Sequence, residues 1–416
     1  MAKSKLVKPF RYFGYLLLVT VFQLLSFVQV MTKIEEDNAQ YVAIFLSFLL
    51  IEWFYVFIMR SLLKQKSFEL ELIAFFLSGI GLSLIATVSL DYAMKQLIYI
   101  LAGVLLFLVM RWLIANSDRV TLLRLPAAVI AAAALAFNLV AAQDYNGAKN
   151  WVQIGSFSIQ PSEFVKIAFI FVGAATLDKL QTTKSVFKYL VFAAGCIGAL
   201  FLMRDFGTAL IFFATFLIIA YMRSGDWKTI AVICVAAVLG AILIISFKST
   251  VAARFATYRH IWDTPYEEGM QQTRVLIYSA SGGLFGVGLG NGRLRDVYAE
   301  TTDLIFGMVC EEYGLLVGFI VILAFAAILV YTIASAKSAR TSFYVIAACS
   351  AAGLLIVQTS LNVFGVTDLL PWTGVTLPFV SRGGSSMMSC WALLAFIKSV
   401  DPRAYPKTLR ETQITG

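Results

Sequence analysis

Charge is scarce in this chain. Asp, Glu, Lys and Arg make up 14% of its 416 residues, whereas a soluble globular domain carries about a quarter. Histidine is nearly absent: His260 stands alone, which excludes a His-rich metal centre. The cysteines Cys196, Cys234, Cys310, Cys349 and Cys390 all sit in apolar runs. No CxxC spacing links them, so they offer neither a zinc motif nor a legible disulfide framework and read as packing residues. After the basic stretch MAKSKLVKPFRYFGY the apolar run continues with no small-residue cleavage site, so no signal peptide is read. The two halves show no internal repeat, a feature that secondary transporters often carry.

What the chain does have is apolar length. It is 60% hydrophobic, with a mean hydropathy of +0.83, which predicts an all-α polytopic membrane protein. Twelve spans are read, centred on 12–31, 41–59, 70–90, 95–115, 121–142, 162–180, 187–203, 206–222, 228–246, 303–335, 341–363 and 375–397. Their connectors alternate in charge. One side receives Lys3, Lys5, Lys8 and Arg11, then Arg60, Lys64 and Lys66, then Arg111, Arg119 and Arg124. It also receives Lys179, Lys184 and Lys188, Arg223 and Lys228, Lys337 and Arg340, and finally Lys398, Arg403, Lys407 and Arg410. These are most of the 33 Lys plus Arg. The positive-inside rule puts that side and both termini in the cytoplasm. The net charge of +9 is then a topology signal, and no nucleic-acid partner is expected.

The remaining charges gather on the external side. They lie in the connector 143–161, in the large loop 247–302 between spans nine and ten, and in the turns around Arg204–Asp205 and Asp368–Arg382. Connectors this long are usually functional or disordered, and the aromatic residues throughout 247–302 predict order, partly dipping into the membrane.

Five stretches carry chemistry. In NGAKNWVQIGSFSIQPSEFVK, Pro161 opens a helix, Ser162 is placed to cap it, and Glu163 and Lys166 share a face. Lys166, with Lys149 and Trp151 before it, suits an anionic headgroup or pyrophosphate; a snorkelling lysine paired with Glu163 is the plainer reading. In FLMRDFGTA, Arg204 and Asp205 interrupt two apolar runs, either as a site or as an ordinary turn. SASGGLFGVGLGNGRLRD is dense in glycine but lacks the Lys-Ser/Thr of a phosphate-binding loop; Arg293 and Arg295 either face an acidic ligand or sit in solvent. In AETTDLIFGMVCEEYG, Asp303 meets the start of a span. It is a helix cap or a partly buried general base. Glu311 and Glu312, inside the same span, call for a basic partner, with Arg204 and Arg382 as candidates. Last, GVTDLLPWTGVTLPFVSRGGSS predicts an interrupted helix entry, of the kind that lines a cavity at membrane depth.

Taken together and in this order, GAKNW…QPSEFVK, RDFGTA, SGGLFGVGLGNG…TDLIF…EEYG and LPWTGVTLPFVSRGGSS resemble the SEDS family of RodA, FtsW and SpoVE over roughly residues 70–397. The resemblance implies a peptidoglycan glycosyltransferase that polymerises lipid II into glycan strands outside the cytoplasmic membrane of a bacterium. It places the family's essential external aspartate at Asp303. It matches PSE-x-x-K to Pro161, Ser162, Glu163 and Lys166, D-x-G-T to Asp205, Gly207 and Thr208, and the SxGGSS segment to Ser381, Gly383, Gly384, Ser385 and Ser386. The chain departs from the family where His-Thr-Asp becomes Thr301-Thr302-Asp303, where Arg382 replaces an aromatic, and where Arg204 replaces a proline. Family members have ten spans, so 1–69 reads as two additional helices, 70–400 as the polymerase core and 401–416 as a cytoplasmic tail.

By the same resemblance the reaction inverts the donor's anomeric carbon as an acceptor 4-hydroxyl attacks and pyrophosphate leaves. Asp303 is expected to be the base. The substrate-binding set is Lys166, Glu163, Lys149, Trp151, Gln160, Asp205, Arg254, Arg259, Arg293, Ser381 and Arg382. Glu163 is expected to orient Lys166, and Asp205 to hold an arginine or help place a cation. No cofactor is certain; a magnesium or manganese ion at Asp205 or Asp303 stays open. The implied partners are lipid II, the nascent strand, a class B penicillin-binding protein and other elongation or division proteins. A lipid II flippase and a non-catalytic cell-shape or division scaffold are the alternatives. The flippase predicts charges through the membrane midplane, and the scaffold has no need of an acid at the mouth of a span.

Overall fold

The computed structural model describes residues 12–404 except 34–37, 146–147, 156, 179–182, 229–230, 232, 236–257 and 268. Most of the span read at 228–246, the charged termini and Arg254 fall outside the described residues.

Apolar composition makes the helices, and polar residues set their ends. The chain runs α1 (Tyr12–Met31), α2 (Asn38–Ser61), α3 (Glu69–Val88), α4 (Leu90–Ile114) and α5 (Ser117–Ala141). A small antiparallel sheet follows, β1 (Gln143–Tyr145), β2 (Ala148–Ile154) and β3 (Phe157–Ile159) in the order β1-β2-β3. Then come α6 (Pro161–Asp178), α7 (Thr183–Leu202), α8 (Phe206–Ser224), α9 (Met270–Ser281), α10 (Leu315–Ala336), α11 (Ser342–Val366) and α12 (Gly384–Ser399). Asn116 caps α5 by accepting from the Asp118 and Arg119 amides at 2.7 and 3.4 Å. Gly225 ends α8 in the left-handed region, φ 63°, and returns its N–H to Tyr221 O, the usual glycine stop. Eight of the described helices are long and apolar enough to cross a membrane: α1–α5, α8, α10 and α11. The chain is a multi-pass membrane protein. Its core is built where α12 packs on α4, α5 on α6, and α11 on α8 and α10.

Two boundaries differ from the hydropathy reading. The apolar run 303–335 is not one helix. A short turn Ile305–Met308 passes into a π-helical turn Val309–Tyr313, Gly314 breaks the chain at φ 92°, and only then does α10 begin. Likewise α12 starts at Gly384, after an irregular 367–383 segment. Both breaks lie on the same face as the sheet, hereafter the loop face.

A buried polar network closes the opposite face. Lys398 of α12 and Glu71 of α3, neither exposed at all, pair at 2.9 Å. Arg111 of α4 donates to the Gln65 side chain and to the Ala404 carbonyl. Asp401 accepts from Ser67, Tyr331 and Arg403, and Arg403 also meets Glu69 at 3.0 Å. Arg111 and Lys398 are therefore packed structural cations, not merely topology charges.

Candidate active site

Three segments of the loop face converge on the start of the broken run. The chain turns at Ala299, whose φ of 66° lets its carbonyl accept from the Thr302, Asp303 and Leu304 amides. Arg382 N–H donates to Thr301 O at 2.7 Å and Ser381 Oγ to Thr302 O at 2.6 Å. Asn362 of α11 donates to the Asp303 carbonyl at 2.9 Å and to Val375 O at 2.7 Å. The backbone on both sides of Asp303 is thus fixed to the irregular 367–383 segment and to α11. Its half-buried side chain faces the exposed turn at Gly374, φ 67°, where an added Cβ would lie 3.4 Å from Asp303 Oδ2. The helical turn beyond it starts at Ile305 with Leu304 as its cap residue, so Asp303 is not a helix cap.

Glu311 and Glu312 do not meet Arg204 or Arg382. Both are 1% exposed and accept backbone amides from the glycine-rich loop. Glu311 takes Arg293 N–H at 2.7 Å and Leu294 N–H at 3.0 Å; Glu312 takes Gly290 N–H at 2.7 Å. The Val287 and Gly288 amides donate to the carbonyls of the same two glutamates. The glycines are needed for this approach: an added Cβ on Gly286, φ 82°, would sit 2.2 Å from Glu312 O, closer than any real contact. The acids inside the apparent span are ligands for orphan backbone N–H groups of the loop leading to Asp303. Arg382 stacks on Tyr92, 3.9 Å from the ring centroid.

The PSEFVK stretch sits deeper than its lysine implied. Lys166 is 1% exposed and pairs with Glu163 at 2.8 Å. It also donates to Gln358 Oε1 at 3.0 Å, while Ser389 of α12 donates to Glu163 at 2.7 Å. Gln358 in turn donates to Thr376 O at 3.0 Å, and Thr376 bonds Ser386. The pair therefore ties α6 to α11, α12 and the irregular segment, and its amine is buried. Ser162 is not the cap, because α6 begins at Pro161.

Asp205 pairs with no arginine among the described residues. It caps α8 through Thr208 N–H at 3.1 Å and accepts from Asn150 of β2 at 2.9 Å and Gln160 at 3.1 Å. Gln160 N–H reaches Ser385 Oγ at 3.1 Å, so sheet, α6, α8 and α12 are knit together. Lys149 lies on β2, and Trp151 on the same strand is half-buried. Arg293 and Arg259 are exposed, and Arg259 N–H donates to Asp368 at 3.4 Å. Among the described residues no three His, Cys, Asp or Glu side chains gather as a metal-ligand set. Gln358 and Asn362 were missed from the sequence; their signal was two amides one turn apart inside an apolar helix.

A family model described as cell cycle protein, of FtsW, RodA and SpoVE, matches residues 70–405. The chain belongs to that family. Stage V sporulation protein E of Bacillus subtilis is 32% identical over 252 residues, 58% of this chain and 68% of its own. The peptidoglycan glycosyltransferase RodA of Mycobacterium tuberculosis is 32% identical over 278 residues, 62% of this chain and 59% of its own, so the match spans about three fifths of that relative. Two solved structures share the fold at 21% identity, each covering 80% of this chain. One belongs to a peptidoglycan synthase complex that coordinates polymerization and crosslinking, with a TM-score of 0.67 over 97% of that chain. The other is Thermus thermophilus RodA, with a TM-score of 0.59 over 95%. The helices α1 and α2 precede the matched region.

Proposed function

We propose that this chain is a peptidoglycan glycosyltransferase that polymerises lipid II on the outer side of a bacterial cytoplasmic membrane, with the loop face external and both termini inside. The observation that carries the reading is the placement of Asp303: a carboxylate beside an exposed turn, on a backbone fixed from both sides by Arg382, Ser381 and Asn362. Such fixing is what a general base requires, because proton abstraction works only within hydrogen-bond reach. Asp303 takes the proton of the acceptor 4-hydroxyl as it attacks the donor anomeric carbon. The bond to pyrophosphate breaks on the opposite side, and the centre inverts. Positive charge for the leaving group comes from the exposed Arg293 and Arg259 and the half-buried Arg382; Lys149 and Arg254 are further candidates from the sequence. Lys166 acts from beneath by holding Gln358 and the 371–386 backbone. Among the described residues no three potential metal ligands gather at Asp303 or Asp205.

The lipid tails need an apolar approach. A cleft of ≈ 200 Å³ lined by Leu276, Phe306, Leu315, Phe319, Ile322 and Val366 opens between α9, the Ile305–Met308 turn, α10 and α11. It offers lateral entry from the membrane next to the Asp303 segment. A class B penicillin-binding protein would crosslink the strands, alongside other elongation or division proteins. The test is glycan-strand formation from lipid II by the purified chain, alone and with its transpeptidase. Strands support the polymerase. Movement of lipid II across vesicles without strand formation overturns it in favour of a flippase.

A further inference from the structure

Of the two helices ahead of the family match, α1 touches the machinery described above and α2 braces it. One face of α1 is buried through Leu16, Thr20, Gln23, Ser26 and Val30. Gln23 Nε2 donates to Glu52 of α2 at 3.0 Å and reaches Phe75 O of α3 at 3.5 Å. Trp53 of α2 donates to Thr20 at 3.1 Å. Neither Gln23 nor Glu52 meets lipid, so these bonds fix where α1 stands along α3. What that position delivers lies at the loop-face end. Phe22 stacks on Tyr313 at 5.8 Å between centroids and 20° between planes, and it also packs on Phe76 of α3 at 5.1 Å. Tyr313 is the last residue of the π turn that carries Glu311 and Glu312. Two to three turns further on, the end of α1 and the residues just after it lie against the glycine loop. A Cβ on Gly288 would stand 2.9 Å from Gln29 Nε2, and one on Gly290 would stand 3.2 Å from Lys33.

The glycine loop is thereby held between two walls. Glu311 and Glu312 hold it from the π turn; Gln29 of α1 and Lys33 just beyond the helix cover it from the other side. Glycine-rich backbone gains order only from its neighbours, since it loses the most conformational freedom on folding. We propose that α1, locked by Gln23–Glu52, is a positioning element of the active site, with Phe22 and Gln29 fixing the glycine loop and the π turn that bracket Asp303. This rests on the polymerase reading. Phe22 and Gln29 touch no reacting atom; they act through Tyr313 and the loop.

The test is hydrogen exchange by mass spectrometry on the full chain in nanodiscs, with lipid II kinetics on the same samples. In Phe22→Ala, the amides of 286–294 and 303–313 should exchange about tenfold faster, while α11 and α12 keep their protection. The kcat should fall by about tenfold or more, with KM within about twofold of the parent, as expected when reacting groups are displaced rather than substrate lost. Phe22→Tyr should restore both, and lipid-facing Leu18→Ala should change neither. Gln29→Ala, at an exposed position, is the second variant; it should loosen 286–294 with no change in the global melt. Loop exchange equal to the parent in both variants overturns the inference, as does a rise spread evenly over all helices. A loosened loop in a chain that makes no glycan strands supports the brace and refutes the polymerase reading instead.

Discussion

Removing one member of the Lys166–Glu163 pair should be far more damaging than removing both. The pair is nearly inaccessible, with Lys166 1% and Glu163 4% exposed, and joined at 2.8 Å. Lys166→Met leaves the carboxylate with the Ser389 hydroxyl alone; Glu163→Gln leaves the ammonium with an amide oxygen in place of its counter-ion. Breaking a buried pair by one partner costs about 3–5 kcal/mol, whereas replacing both with neutral groups of similar volume is often close to neutral. At about 2 °C per kcal/mol for a large domain, each single variant should melt roughly 6–10 °C below the parent, and the double variant should recover most of that. Melting in detergent by intrinsic fluorescence reads it. Lipid II polymerisation of the three variants separates the two roles of Lys166. If the lysine is a brace, the double variant regains activity together with stability. If it contacts pyrophosphate, the double variant melts like the parent yet stays inactive with a raised KM. A double variant no more stable than the worse single one refutes the reasoning about the pair.

Four further outcomes follow from the same geometry. Glu311→Ala removes the acceptor of two amides at 2.7 and 3.0 Å, the second of them buried; at about 1–3 kcal/mol for a buried orphaned group, it should lower the melt and expose the glycine loop to protease. Gly292→Ala, whose Cβ would stand 2.6 Å from Glu312 Oε1 and 2.9 Å from Glu311 Oε2, should destabilise by roughly 1–3 kcal/mol through overpacking, and a parent-like melt contradicts the close approach. Asn362→Leu should cut the polymerisation rate by about 10- to 100-fold by releasing the Asp303 carbonyl, with KM little changed. On the opposite face, burial alone would raise the Asp401 carboxyl, but Lys398, Arg403, Ser67 and Tyr331 outweigh it and hold it down to about 2, from 3.8. A depressed carboxylate stabilises above its unfolded value and loses that stability as pH falls through its folded one. About 2 kcal/mol should therefore drain away between pH 4 and pH 2, and Asp401→Asn should flatten that part of the melting profile.

The membrane character, most helix positions and the order of the motifs were legible because hydropathy and spacing are local properties. The break at Gly314 was not. Residues 303–335 are apolar almost throughout, and window hydropathy cannot see a π turn followed by a φ of 92°. The β strands at 143–159 are too short for a two-residue period to register. Charge partners failed for a different reason: the acids at 311 and 312 bind backbone, and no side-chain pairing rule points to an amide eighteen residues upstream. Lys166 was read as a surface cation because what buries the pair, Gln358 on the lysine and Ser389 on Glu163, lies on helices far along the chain. Asp303 was legible as a candidate, but not the Asn362 that fixes it.

The central claim is that Asp303 acts as the base of a lipid II polymerase. The most direct measurement is the initial rate of glycan-strand formation by Asp303→Asn beside the parent, both with the transpeptidase partner and both shown by melting to be folded. The account predicts a loss of about 10²–10⁴-fold with an unchanged melt. A folded Asp303→Asn that polymerises at the parent's rate contradicts it.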